Sequence, residues 1–211
     1  NNDKIIITSP HPDDDIIGCG GIMQLFPNKS NVKICYMSNG SGGVKDKKIN
    51  RINEAISSIK ILGYNKEQII TPSLPFYHNE NRKVTNNDYK MIEEILNLEK
   101  PKHLFICGDS DPNKTHDKCY QILENSKYPD SIKYIWIYKS AWGKWEKNEE
   151  NVIIYLNKNL LENKLLAMDM HFSQEIPVVT NNEIKNFKSV IIKNAKTFDH
   201  PNRIIEKFKV I

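Results

Sequence analysis

Near the start of the chain, Ser9-Pro10-His11-Pro12-Asp13-Asp14-Asp15 sets an imidazole and three carboxylates on a turn stiffened by two prolines. An imidazole and a carboxylate three residues apart on such a turn can converge on one divalent ion, and mixed nitrogen and oxygen donors suit zinc or another first-row metal. The competing reading is a solvated acidic turn at the start of a helix, where one Asp gains about 0.3–1 kcal/mol from the helix dipole. That accounts for a single carboxylate, such as Asp15, and leaves the histidine between prolines without a role. A hydrolytic zinc site needs three protein ligands and an open position. His11 and Asp14 supply two. The third is best sought in the segment from Gly108 to His116, which ends with His116 in the first turn of a helix. A plain surface histidine at a helix start is the alternative for His116.

These residues need a scaffold that brings two distant loops together, and the hydrophobic pattern describes one. Lys4 to Thr8 is a continuous β-branched run of strand length, typical of a strand covered on both faces. A helix is expected from Asp15 to Phe26, a second strand from Val32 to Met37, and a helix from Arg51 to Leu62 stopped by Gly63. A strand near Gln68 to Thr71, a helix from Tyr89 to Leu98 and a buried strand from His103 to Cys107 follow. Beyond them come a helix from about Thr115 to Glu124 and a strand from Tyr134 to Tyr138. Strands alternating with helices imply an α/β fold, a Rossmann-like, mostly parallel sheet with helices on both faces. The last third is less regular: an extra strand over Val152 to Leu156, helices over Leu160 to His171 and Glu183 to Ala195, and a short strand at Phe208 to Ile211. In a parallel sheet the strand ending at Cys107 can lie beside the first, which would bring His116 to the His11 turn.

The 211 residues suit one domain, here the whole span 1–211, and 39% hydrophobic with 27% charged residues excludes a disordered or fibrous chain. A net charge of +4 comes from dispersed lysines, with only Arg51, Arg82 and Arg203 as guanidinium groups, so no nucleic-acid partner is expected. The four cysteines, Cys19, Cys35, Cys107 and Cys119, show no close-spaced pairing and are expected as buried free thiols. A reducing compartment fits them, which makes the cytoplasm the default location. The first residue is Asn1, so a trimmed upstream signal or anchor is compatible with the sequence. No apolar run reaches the ~18 residues of a membrane helix, and homo-oligomerisation is left open by the composition.

His11-Pro12-Asp13-Asp14-Asp15 after a buried strand, with Asp111-Pro112-Asn113-Lys114-Thr115-His116 after another, resembles the PIG-L/LmbE-like zinc-dependent N-deacetylases. Weaker echoes run through Arg51-x-x-Glu54-Ala55, Lys164-x-x-Ala167 leading to His171-Phe172-Ser173-Gln174, and Glu206-x-Phe208. The resemblance implies one zinc held by His11, Asp14 and His116, a metal-bound water as nucleophile, and Asp13 as the general base that takes its proton. It also implies a small N-acyl substrate of the N-acetylglucosamine type, with another small amide as the alternative. A non-catalytic sugar or nucleotide binding module is the reading from outside enzymology. Two departures stand out. Many members carry a histidine where this chain has Asn113, and an amide cannot shuttle protons near neutral pH. Members also often place an acidic residue after a Leu-Pro, whereas Leu74-Pro75 is followed here by Phe76-Tyr77-His78.

Other residues carry two readings each. His171 is either an acid or oxyanion donor or an ordinary buried histidine. Arg51 either binds a substrate anion or pairs with Glu54 or Asp46. Trp142 and Trp145 either offer a flat face to a sugar ring or pack a loop. Ser38 to Gly43 lacks the spacing of a phosphate loop and is expected as a flexible wall of the active-site crevice.

Overall fold

The computed structural model describes residues 2–41, 45–79, 81–174, 178–180, 183–185, 189, 192 and 204–211. Among them run the strands β1 (Ile5–Ser9), β2 (Val32–Tyr36), β3 (Ile69–Ile70), β4 (His103–Cys107), β5 (Tyr134–Tyr138), β6 (Val152–Leu156), β7 (Val178–Thr180), β8 (Glu183–Lys185) and β9 (Ile204–Val210). The helices are α1 (Asp14–Cys19), α2 (Ile22–Leu25), α3 (Lys45–Ile61), α4 (Asn86–Glu99), α5 (Lys114–Asn125) and α6 (Lys158–Asp169). Seven strands form one sheet in the order β3-β2-β1-β4-β5-β9-β6, and β7 and β8 make a separate ribbon. The pairs from β3 to β5 are parallel, while β9 runs antiparallel to both of its neighbours.

Strand β1 is buried along its whole length because helices cover both faces of the sheet. Alternation sends Ile5 and Ile7 to one side, with Ile16, Ala55, Ile59 and Met168 of α1, α3 and α6. Ile6 points to the other, with Ile92, Leu96, Ile122 and Leu123 of α4 and α5. Each such fully buried Ile or Leu contributes on the order of 1.5–3 kcal/mol of transfer free energy. Strand β1 lies between β2 and β4, so successive connections leave it in opposite directions. A crevice therefore opens at its C-terminal end, where α/β sheets place their ligands.

Three expected elements differ. The helix predicted over Asp15 to Phe26 is broken at Gly20-Gly21 into α1 and α2. The break is held from outside: the Glu206 carboxylate of β9 accepts the Gly21 N–H at 2.6 Å and the Ile22 N–H at 2.8 Å, taking two donors that open the second helix. A Cβ on Gly21 would stand 2.3 Å from Leu156 Cδ2 and 2.8 Å from that carboxylate, so only glycine fits. The second difference is β9, which is longer than the strand predicted at Phe208 to Ile211 and lies inside the sheet. Glu206 and Lys207 read as polar, yet Glu206 is 4% exposed because Lys164 of α6 donates to it at 2.6 Å. The third is the helix predicted over Glu183 to Ala195. It begins instead as β8, which pairs antiparallel with β7, and most of the remaining span lies outside the described residues.

Candidate metal centre

The first functional turn follows directly from the end of β1. The N–H groups of Asp13 and Asp14 both point to the His11 carbonyl, at 2.9 and 3.4 Å, and the Ser9 hydroxyl donates to the same oxygen at 2.5 Å. Pro10 is lashed to the end of β2, its carbonyl accepting the N–H of Ser38 at 3.1 Å and its hydroxyl at 2.6 Å. This turn starts α1 with Asp14 in the first position, aimed into the crevice. From the neighbouring β4, the loop to α5 delivers His116. Asn113 caps that helix, its side-chain oxygen accepting the Thr115 N–H at 3.0 Å, which uses the oxygen in backbone satisfaction.

Three donor atoms then meet. His11 Nδ1 lies 3.0 Å from His116 Nε2 and 3.3 Å from Asp14 Oδ2, and His116 Nε2 lies 3.2 Å from the same oxygen. One ligand atom from each residue falls within 4.8 Å of the others. Two imidazole nitrogens can face one another at 3.0 Å only across a proton or a cation. Two nitrogens and a carboxylate oxygen fit a three-ligand zinc site with one position open. The remaining oxygen of Asp14 accepts the Ser140 hydroxyl from the loop after β5. Asp111 Oδ2 stands 3.2 Å from His116 Nδ1, at ion-pairing distance but off the hydrogen-bonding line, and orients the ring electrostatically.

Charge follows from these contacts. Burial pushes Asp14 upward, but the His116 charge and hydrogen bonds from both imidazoles outweigh it and hold Asp14 well below the usual carboxylate range. Burial opposes protonation of His116, yet Asp14 and Asp111 raise it well above the usual imidazole range. Metal-free protein therefore keeps a proton on His116 that a metal must displace. Binding of a divalent metal to the trio at neutral pH is expected to release about one proton per site and to tighten as pH rises. Calorimetry in buffers of different ionisation enthalpy measures this, and a binding heat independent of buffer would show His116 already neutral. Asp15 is a separate case: burial and then the Asp13 charge push it up to about 7, and the Tyr36 hydroxyl donates to it at 3.1 Å. It belongs to the interior, so the solvated-cap reading of Asp15 does not hold.

Asp13 stands beside the trio with 4% exposure, and Arg51 holds it, Nη2 to Oδ2 at 3.0 Å. Arg51 was expected to find Glu54 or Asp46 if it was structural. Glu54 is instead committed to Ser173, accepting its N–H at 2.9 Å and its hydroxyl at 2.7 Å, and the Asp46 side chain lies outside the described residues. The guanidinium also donates to the Gly40 carbonyl at 3.1 Å. Gly40 has φ +63, and a Cβ there would sit 2.3 Å from Arg51 Nη1, so the Arg51 position depends on this glycine.

The pocket over the trio, about 100 Å³, is lined by Asp13, Arg51, Asn113, Trp142 and Gln174 besides the ligands. Trp145 is separated from it: its ring lies 5.5 Å from Lys139 Nζ, in an adjoining cavity of about 340 Å³. The loop after β5 turns between the two tryptophans, so one sequence patch serves two cavities. His171 is 1% exposed, and neither ring nitrogen has a hydrogen-bond partner among the described residues. Burial lowers its pKa. Ser38 and Asn39 line a third cavity of about 280 Å³ with Tyr36 and Ile52. Residues 42 and 43 of the glycine-rich stretch lie outside the described residues. Phe76 and Tyr77, which follow Leu74-Pro75, pack in the core on the α4 side. The four cysteines are buried and free. Asp111, Ser140 and Gln174 were not singled out as site residues from sequence; Asp111 had a local signal in the His116 loop and Gln174 in the His171-Phe172-Ser173-Gln174 echo, whereas Ser140 had none.

An α/β sheet with a His-Asp-His trio at its switch point that could hold a metal ion describes a broad class of proteins, and sequence comparison narrows it. A profile of the family PIG-L: GlcNAc-PI de-N-acetylase matches residues 6–126. The chain belongs to this family. A curated relative from Bacteroides thetaiotaomicron, described as a putative glucosamine-6-phosphate deaminase-like protein, is 22% identical over 85% of this chain. The chain spans only 37% of that relative's length. Among solved structures, N,N'-diacetylchitobiose deacetylase from Pyrococcus horikoshii superposes with a TM-score of 0.71 at 21% identity, covering 99% of this chain and 84% of that one. GalB, the 4-carboxy-2-hydroxymuconate hydratase from Pseudomonas putida KT2440, superposes with a TM-score of 0.70 at 12% identity, covering 99% and 96%. A deacetylase and a hydratase thus share this fold, and activity must be argued from the site. Among the described residues no helix is long and apolar enough to cross a membrane.

Proposed function

We propose that this protein is a zinc-dependent N-deacetylase that hydrolyses the acetamide of an N-acetylglucosamine-type sugar or conjugate. Family membership supports the general reaction. The observation that carries the reading is the convergence of His11, Asp14 and His116 beside an Asp13 that is tied to Arg51 and not to the trio. These three residues would hold the metal. Zinc bound there supplies Lewis acidity, polarising the acyl carbonyl and bringing the pKa of a water to about 7.

The chain's own residues do the rest. Asp13, fixed by Arg51, takes a proton from the attacking water and returns it to the amine nitrogen as the C–N bond breaks, leaving acetate and a free amine. Arg51 keeps that carboxylate in one rotamer. Asn113, with its oxygen engaged in the helix cap, serves as neutral wall and not as proton carrier. Trp142 offers an apolar face to the pocket it lines.

The test pairs metal content with acetate release from N-acetylglucosamine conjugates and from unrelated small acetamides. About one zinc per chain and selective release from the sugar conjugates are expected. Release from other acetamides alone would move the substrate elsewhere, and failure to take up zinc when it is supplied would leave a binding module.

A further inference from the structure

Behind the metal pocket, three hydrogen bonds fix the orientation of a side chain that has no role so far. Glu54 of α3 accepts both the N–H and the hydroxyl of Ser173, at 2.9 and 2.7 Å. A carboxylate only accepts, so the single hydroxyl proton of Ser173 is spent on Glu54. Ser173 Oγ can then only accept from Gln174 Nε2, 2.9 Å away. This proton count sets which end of the Gln174 amide faces Ser173. The backbone is held as well, the Gln174 N–H donating to the His171 carbonyl at 2.9 Å. Gln174 lines the metal pocket with Asp13 and His116. Its second N–H and its carbonyl oxygen have no hydrogen-bond partner recorded among the described residues.

One donor and one acceptor on a single neutral group match an alcohol, which must both give and take a hydrogen bond. An anion would meet the amide oxygen together with the carboxylates of Asp13, Asp14 and Asp111, and a cation would meet Arg51. Building on the deacetylase reading above, we infer that Gln174 is a specificity-determining residue of this site. Its carboxamide, aligned by Glu54 and Ser173, holds a ring hydroxyl close to the acetamide and so selects hydroxylated substrates over plain N-acyl amines.

The test compares the methyl glycoside of N-acetylglucosamine, its monodeoxy analogues and hydroxyl-free N-acetylcyclohexylamine as substrates of the zinc-loaded full chain. Two neutral hydrogen bonds lost in Gln174→Ala are expected to lower kcat/KM for the glycoside on the order of 10- to 100-fold. N-acetylcyclohexylamine and one deoxy analogue should be turned over equally by variant and wild type. Zinc content, measured alongside, reports an intact site. Ser173→Ala keeps the amide but frees it to flip, and should give a smaller loss on the same substrates, covering the case in which Gln174→Ala fails to fold. Equal losses on the glycoside and on N-acetylcyclohexylamine would overturn the role of Gln174 while leaving the deacetylase reading intact. A wild type that loads zinc yet hydrolyses none of the panel would overturn both.

Discussion

Asp13→Asn is expected to abolish most acetate release, by about 100- to 10,000-fold in kcat, without emptying the metal site. The substitution keeps shape and can still accept one hydrogen bond from Arg51, which stands 3.0 Å from Asp13. What it removes is the ability to take a proton from water and pass it to the leaving nitrogen. Asp13 is outside the converging trio, so zinc stoichiometry measured by atomic emission should stay near one per chain. The combination matters. Loss of both metal and activity would place Asp13 among the ligands, and activity within a few-fold of wild type would send the search for the base elsewhere.

The largest effect on stability is expected from Glu206→Ala. Lys164 and Glu206 are 2% and 4% exposed, and among the described residues the ammonium otherwise meets only the Ile17 carbonyl, at 2.8 Å. Removing the carboxylate strands a buried charge and also leaves the N–H groups of Gly21 and Ile22 without their acceptor. Breaking one side of a buried pair costs about 3–5 kcal/mol. At about 2–4 °C per kcal/mol for a domain of this size, thermal unfolding should shift down by roughly 10 °C. Combining Glu206→Gln with Lys164→Met removes both charges and should recover most of the loss. A single-variant shift under about 2 °C would mean that water reaches Lys164.

Legibility in the sequence followed the range of the interactions. The parallel half of the sheet was readable because β1, β2 and β4 are short β-branched or apolar runs, and local pattern is what burial on both faces selects. His11, Asp14 and His116 were readable as a candidate trio because two fall in one turn and the third opens a helix beside the neighbouring strand. Ser140 has no such signal: its hydroxyl reaches Asp14 from the far end of β5, through topology alone. The start of β9 ahead of Phe208 was not readable for a related reason, since the Glu206 carboxylate is buried only because Lys164 of α6 lies opposite it. The Arg51 partner was sought nearby in sequence on its own helix, whereas tertiary packing supplied Asp13 from another loop.

The position of β9 also bears on how the molecule comes together during synthesis. The residues of the trio all leave the ribosome before β9 does, yet the Glu206 carboxylate that secures the α1–α2 corner arrives only with β9. Until then β5 and β6 present open edges that β9 later fills from between, and open edges recruit other chains. Nascent chains stalled before residue 204 should therefore depend on chaperones, and the insertion of β9 that joins β5 to β6 also locks the helix whose first residue is Asp14.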